Sequence, residues 1–143
     1  MYDTVLVPVD LAEKGYTDKV IEHALHVLSP GGNLILLTAL TGYQMPLVGS
    51  FFQPGTFDKA VKQVHQKLVE FVNDELPIDA NDCTTKVVEG KPVESILSVA
   101  KESNAQVIVM ASHKQSRVGY MMLGSIANKV LSHSDIPVMV VKG

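Results

Sequence analysis

The chain has 143 residues, 46% of them hydrophobic and 19% charged, with a single cysteine and a formal charge of −3. That is enough apolar material for one self-folding domain, here taken as residues 1–143, and too little charge for a disordered chain. A lone cysteine excludes an intramolecular disulfide and an all-cysteine zinc site, and the acidic balance argues against a chain built to neutralise a nucleic-acid backbone.

Met1-Tyr2-Asp3 places an acid where a secretory signal carries basic charge, and no apolar run approaches the ~20 residues that cross a bilayer. The expectation is a cytoplasmic protein with no membrane insertion and no nucleic-acid partner.

In chain order, Thr4-Val5-Leu6-Val7-Pro8-Val9-Asp10 reads as a strand covered on both faces, ending near Pro8 because proline removes a ladder donor. Val20, Ile21, Ala24, Leu25 and Leu28 recur at helical spacing, and Ser29-Pro30-Gly31-Gly32 is a helix stop. Asn33 to Leu40 is a second buried strand. Phe57, Ala60, Val61, Val64, Leu68, Phe71 and Val72 trace a long amphipathic helix that Leu76-Pro77 ends. Thr84 to Val88 reads as a more exposed strand, and Pro92 suits the first turn of a helix burying Val93, Ile96, Leu97 and Ala100. Gln106 to Ala111 is a fourth strand, Ser125 to Leu131 a helix, and Pro137 to Val141 a fifth strand.

Strands alternating with helices predict right-handed crossovers and an α/β, doubly wound domain: a five-stranded parallel sheet with helices on both faces. Ligands in such sheets bind beyond the carboxyl ends of the strands, where the strand order reverses. That rule points to Pro8–Asp10, Ala39–Thr41 and Met110–Lys114. The long connection Thr41–Gly55 carries Tyr43, Met45, Leu47, Val48, Phe51 and Phe52, and reads as a packed flap, a lid or a subunit contact.

The chemistry concentrates late in the chain. Between Ser103 and Ser134 there is no Asp or Glu, while Lys114, Arg117 and Lys129 give the stretch a charge of +3. Within it, the strand runs into Ser112-His113-Lys114 and a loop, and Leu123-Gly124-Ser125 opens a helix. Free amides beside a hydroxyl and a glycine suit an anion. Ser125 alone reads as a helix N-cap, Asp10 alone as a turn or capping aspartate, and Lys114 alone as a solvated lysine.

The strand, the spacer, Leu123-Gly124-Ser125 and Pro137-Val138-Met139-Val140-Val141, with the opening Val5-Leu6-Val7-Pro8-Val9-Asp10 and the turn Glu89-Gly90-Lys91-Pro92, resemble the universal stress protein family along the whole chain. The resemblance implies strand order 3-2-1-4-5 and a regulatory, stress-response role in which ATP or a related adenine nucleotide is held without appreciable catalysis. Pro8, Val9, Asp10 and Ala39 would border adenine and ribose, with Met110 against the base. Ala111, His113, Lys114, Gly124, Ser125 and Ile126 would surround the phosphates, and magnesium would bridge them without a dedicated protein metal site. ATP-binding members read Gly-x2-Gly-x9-Gly-Ser/Thr; here Ala111 and Lys114 stand at the first two glycines. The family also implies a homodimer through Val138–Val141, an apolar edge otherwise open to aggregation.

Two other readings follow from the departures. A dimeric interaction protein of the same fold that has lost nucleotide binding is the alternative that Ala111 and Lys114 support, and slow ATP hydrolysis would fall to His113. Gly90-Lys91 is no P-loop, because Pro92 replaces the magnesium-holding Ser or Thr. His23 and His26 share a solvated helix face with Lys19 and Glu22, and Cys83 reads as structural.

Overall fold

The structure is a computed structural model, and it describes residues 1–9, 14–40, 56–76, 82–112 and 124–142. Asp10, His113, Lys114 and the segment Thr41–Gly55 lie outside the described residues.

In chain order the elements are β1 (Tyr2–Pro8), α1 (Lys14–Val27), β2 (Leu28–Leu40), α2 (Thr56–Glu75), β3 (Cys83–Glu89), α3 (Pro92–Glu102), β4 (Val107–Ala111), α4 (Ser125–His133) and β5 (Val138–Val141). The strands form one sheet of order β3-β2-β1-β4-β5, and every pairing is parallel. The doubly wound α/β expectation and its strand order 3-2-1-4-5 therefore hold.

Alternation along the central strands divides the core in two. Val5 and Val7 of β1 join Leu34 and Leu36 of β2 and Val107 and Val109 of β4 on the face that α1 and α2 cover, through Val20, Ile21, Ala24, Leu68, Phe71 and Val72. Leu6, Ile35, Leu37, Ile108 and Met110 point the other way, into Ile96, Val99 and Ala100 of α3 and Ala127 and Val130 of α4. Each helix buries one stripe at three- and four-residue spacing, which is why the sequence reads as amphipathic helices around apolar strands. Among the described residues no helix is long and apolar enough to cross a membrane.

Most boundaries fall within one or two residues of the sequence reading, and two features differ from it in kind. α1 ends at Val27, and Ser29-Pro30-Gly31-Gly32 belongs to β2 rather than to a turn before it. Leu28 pairs with Tyr2, but Asn33 pairs with Thr4, so five steps along β2 match two along β1 in a bulge. Gly31, at φ 77°, supplies a left-handed residue within it. Gly32 is needed for space, since a Cβ there would lie 2.9 Å from the Asp3 and Ser29 carbonyl oxygens. The second difference is the cap of α4, described with the site.

A crevice at the switch point with a glycine-capped helix

The strand order reverses between β1 and β4, and among the described residues the two strands pair only near the start of β4. Gln106 seals that end: its N–H donates to the Thr4 carbonyl (2.9 Å), and its Oε1 accepts from the Asp3 amide (2.5 Å). The ladder then comprises Val5↔Val107 and Leu6↔Ile108 and stops. On the other flank, β1 remains paired with β2 as far as Pro8↔Leu37, and the Val9 amide continues to the Leu37 carbonyl at 2.8 Å.

Proline explains the asymmetry. Along a strand, the N–H and C=O of one residue face one neighbour and those of the next residue face the other. The Thr4 carbonyl faces β4 and the Val9 amide faces β2, so Leu6 and Pro8 face β4. Pro8 has no amide hydrogen at the position where the β1–β4 ladder would have taken its next donor. The ladder ends there, at the carboxyl edge of the switch point, where doubly wound sheets open their binding crevice.

The walls of that edge are well fixed. The Thr38 hydroxyl donates to the Val9 carbonyl (3.3 Å), so the end of β1 is tied to β2 through both backbone groups of Val9. Pro8 and Ala39 are half-buried, and Val9 packs into the α1–α2 side of the core. Met110 is only 4% exposed and packs among the α3–α4 residues, so its side chain serves the core and the backbone beyond it forms the rim. Ala111 is half-buried against the α1–α2 side.

The far wall is the start of α4. The N-cap is Gly124, in extended conformation (φ −64°, ψ 156°), and the cap position makes no side-chain hydrogen bond. Ser125 is thus the first helical residue, as the helix read from Ser125 has it, and the reading of Ser125 as an ordinary N-cap is corrected. A serine cap would have occupied a second- or third-residue amide with its own oxygen; glycine has no side chain with which to do so. The Gly124 amide donates to the Ser112 carbonyl (2.6 Å), anchoring the helix start to the end of β4. Ser125 and Ile126 are exposed on that first turn. The structure therefore brings the described candidates Pro8, Val9, Ala39, Met110, Ala111, Gly124, Ser125 and Ile126 to one edge of the sheet, as backbone more than as side chains.

Sequence reasoning did not single out Thr38 or Gln106, which tie these strands at their carboxyl and amino ends; Ser112 lies within the Met110–Lys114 range it pointed to. Thr38 is the polar residue late in an otherwise apolar run. Gln106 precedes β4 by one position. Ser112 follows the even-numbered residues Ile108 and Met110 onto the α3–α4 face, and only strand alternation marks that side.

Other candidates lie elsewhere. The Nδ1 atoms of His23 and His26 are 2.9 and 2.8 Å from the Lys19 and Glu22 carbonyls of their own helix, and no group of three or more His, Cys, Asp or Glu suited to a metal occurs among the described residues. Burial pushes the Cys83 thiol up to about 11. A thiol held protonated at neutral pH is a poor nucleophile, in keeping with a structural role.

A five-stranded parallel sheet of order β3-β2-β1-β4-β5 with helices on both faces defines a doubly wound α/β domain. The model of the universal stress protein family matches residues 1–142, and the chain belongs to that family. Universal stress protein G of Escherichia coli O157:H7 is 27% identical over 143 residues, covering 99% of this chain and 100% of the relative. Two solved structures share the fold. Universal stress protein UspA from Lactobacillus plantarum superposes with a TM-score of 0.65 at 23% identity, covering 98% of this chain and 97% of its own. A universal stress protein in complex with cAMP gives a TM-score of 0.63 at 20% identity, covering 98% of this chain and 96% of its own.

Proposed function

We propose that this chain is a regulatory nucleotide-binding protein that holds ATP or a related adenine nucleotide in the crevice between β1 and β4. The observation that carries the reading is the parting of those strands after Leu6↔Ile108, facing an α4 whose cap residue has no side chain. Adenine and ribose would lie along Pro8, Val9, Asp10 and Ala39, with the Met110 backbone behind the base. The phosphates would take the first-turn amides of α4, the Ser125 hydroxyl, and the Ala111, His113 and Lys114 segment. The acid-free stretch Ser103–Ser134 lowers the cost of gathering negative charge there. The structural neighbour solved with cAMP supports an adenine nucleotide as the class of ligand. Magnesium would ride on the phosphates, since hard cations commonly keep water and phosphate oxygens as ligands.

The role is binding, with the bound state read by other components through differential affinity, in the cytoplasm and without turnover. Pairing through β5 completes the proposal. Val138, Met139 and Val140 are half-buried on a strand that, among the described residues, pairs only with β4, leaving an apolar edge that a second copy would cover. Ala111 favours the alternative of a dimeric interaction protein without a nucleotide, because its methyl group adds bulk where ATP-binding relatives carry glycine.

A titration of ATP into the purified protein, followed by its melting temperature, separates the two. The nucleotide reading expects a rise that grows with ligand concentration into the millimolar range. A flat response at those concentrations leaves the interaction protein. Native mass spectrometry reports in the same preparation whether two chains travel together.

A further inference from the structure

Both helices on the α3–α4 face run back to the amino edge of the sheet, because each follows one parallel strand and precedes the next. Their carboxyl ends, with the turn that leads α4 into β5, enclose a cavity of about 330 Å³. Its size lies in the range that small-ligand pockets occupy. It sits at the opposite end of the strands from the crevice between β1 and β4, so its occupant is independent of any nucleotide.

The floor of this cavity is apolar. Ala100 is 6% exposed, and Leu97 and Ile136 are partly buried against the core beneath α3 and α4. The two walls differ in chemistry. From α3, Ser98 and Lys101 stand three residues apart on one helical face and offer a hydroxyl and an ammonium. From the other side come His133 and Asp135. The His133 Nδ1 lies 2.8 Å from the Lys129 carbonyl, so Nδ1 carries the proton, and in the neutral ring Nε2 is left as an acceptor, like the Asp135 carboxylate.

Hydrogen bonds hold both walls. At the end of α3, the Ser103 amide and hydroxyl donate to the Val99 carbonyl (2.9 and 2.6 Å), and the Ala105 amide donates to the Ala100 carbonyl (3.0 Å). Opposite, the Ser134 hydroxyl donates to the Ile136 carbonyl (2.8 Å) and accepts from the Ile136 amide (3.1 Å), which fixes the turn that carries Asp135. Lys101 and Asp135 line one cavity without forming an ion pair, and neither they nor Ser98 has a side-chain partner among the described residues. A donor wall and an acceptor wall thus flank an apolar floor with their charges unpaired.

We propose that this cavity binds a free α-amino acid with an aliphatic side chain. Its carboxylate lies toward Ser98 and Lys101, its ammonium toward Asp135 and the His133 Nε2, and its side chain on Leu97, Ala100 and Ile136. A simple anion would be repelled by Asp135 and a simple cation by Lys101. Opposite charges that line one cavity without reaching each other are complementary to a molecule that carries both.

The test titrates L-leucine into the isotope-labelled protein and follows the amide resonances of residues 97–101 and 133–136. N-acetyl-leucine, which lacks the ammonium, and leucinamide, which lacks the carboxylate, are run alongside. Leucine should shift those amides saturably by the millimolar range, and each derivative should bind roughly tenfold more weakly, as for loss of a bond to a charged group. Asp135→Asn should weaken leucine and leucinamide and leave N-acetyl-leucine unchanged. Lys101→Met, which keeps an apolar stem, should weaken leucine and N-acetyl-leucine and leave leucinamide unchanged. Both side chains are exposed, so both variants keep the fold, and lost packing would not produce that crossed pattern. Leucine shifts that are absent or never saturate overturn the proposal. Equal affinity for the three compounds, or variants that weaken all three alike, overturn it as well. Either failure leaves the nucleotide reading standing, because ATP is not in the experiment.

Discussion

β1 treats its two neighbours differently. Toward β2 it is bonded from Thr4↔Asn33 through Pro8↔Leu37 and onward by the Val9 amide; toward β4 it is held by Gln106 and two residue pairs. Both flanks are equally apolar, and Val5, Leu6 and Val7 are fully buried. The difference lies in hydrogen bonding, and it shows how one strand serves as scaffold on one side and as the wall of a candidate site on the other. A single imino acid sets the division.

The comparison breaks most visibly on the closed flank. Leu36→Ala, beneath the β1–β2 ladder at 0% exposure, should cost about 2–5 kcal/mol, read as a lower urea midpoint with an unchanged slope. Nucleotide affinity per folded molecule should not change. Gly32→Ala attacks the same flank at its bulge, where the new methyl meets two backbone oxygens that cannot swing aside; a loss of about 1–3 kcal/mol is expected.

Changes on the open flank should separate binding from stability. Ser125→Asp places a carboxylate on the first turn of α4, which favours the helix dipole by up to ~1 kcal/mol while repelling phosphate. Its expected signature is a free protein that melts no lower than the wild type and loses its response to ATP. Pro8→Ala returns the missing amide to the side facing β4. The added hydrogen bond, about 0.5–1.5 kcal/mol, is offset by the greater freedom of the unfolded chain, so net stability should hardly move. Hydrogen exchange should instead show a protected amide at position 8, and ATP should bind more weakly to the narrowed crevice.

The smallest effect concerns pH. Cys83, paired with Leu34 at the outer edge of the β2 side, has its thiol pushed up to about 11 by burial. Above the ordinary thiol range the unfolded chain releases this proton and the folded chain does not, so the unfolded state binds fewer protons and stability falls with rising pH. The contribution is complete below about pH 8.5 and lost by about 11. Cys83→Ser should flatten that part of the curve in a urea titration repeated across the alkaline range.

Much of the architecture is legible in the residues because hydrophobic period and punctuation agree. Val5–Val9 and Val107–Ala111 are uninterrupted apolar runs, Pro92 sits in the first turn of α3, and each helix shows one apolar stripe. The Ser29–Gly32 bulge was not legible, since proline and paired glycines ordinarily end an element, and only pairing with Tyr2 keeps the chain in the sheet. The cap of α4 was misplaced by one residue for a related reason: serine is the better intrinsic cap, but the bond from the Gly124 amide to the Ser112 carbonyl fixes where the helix starts. Pro8 was readable as a strand end, whereas its consequence for one neighbour and not the other depends on which way its backbone faces. No composition rule contains that.

Ser112 also ties the rim of the crevice to the margin of the sheet, because one of its backbone groups grips β5 and the other grips the α4 cap. A displacement of the helix start by a guest would be transmitted to the final strand through a single residue. If two chains associate along that strand, occupancy and association become thermodynamically linked, and each must alter the other by the same free energy.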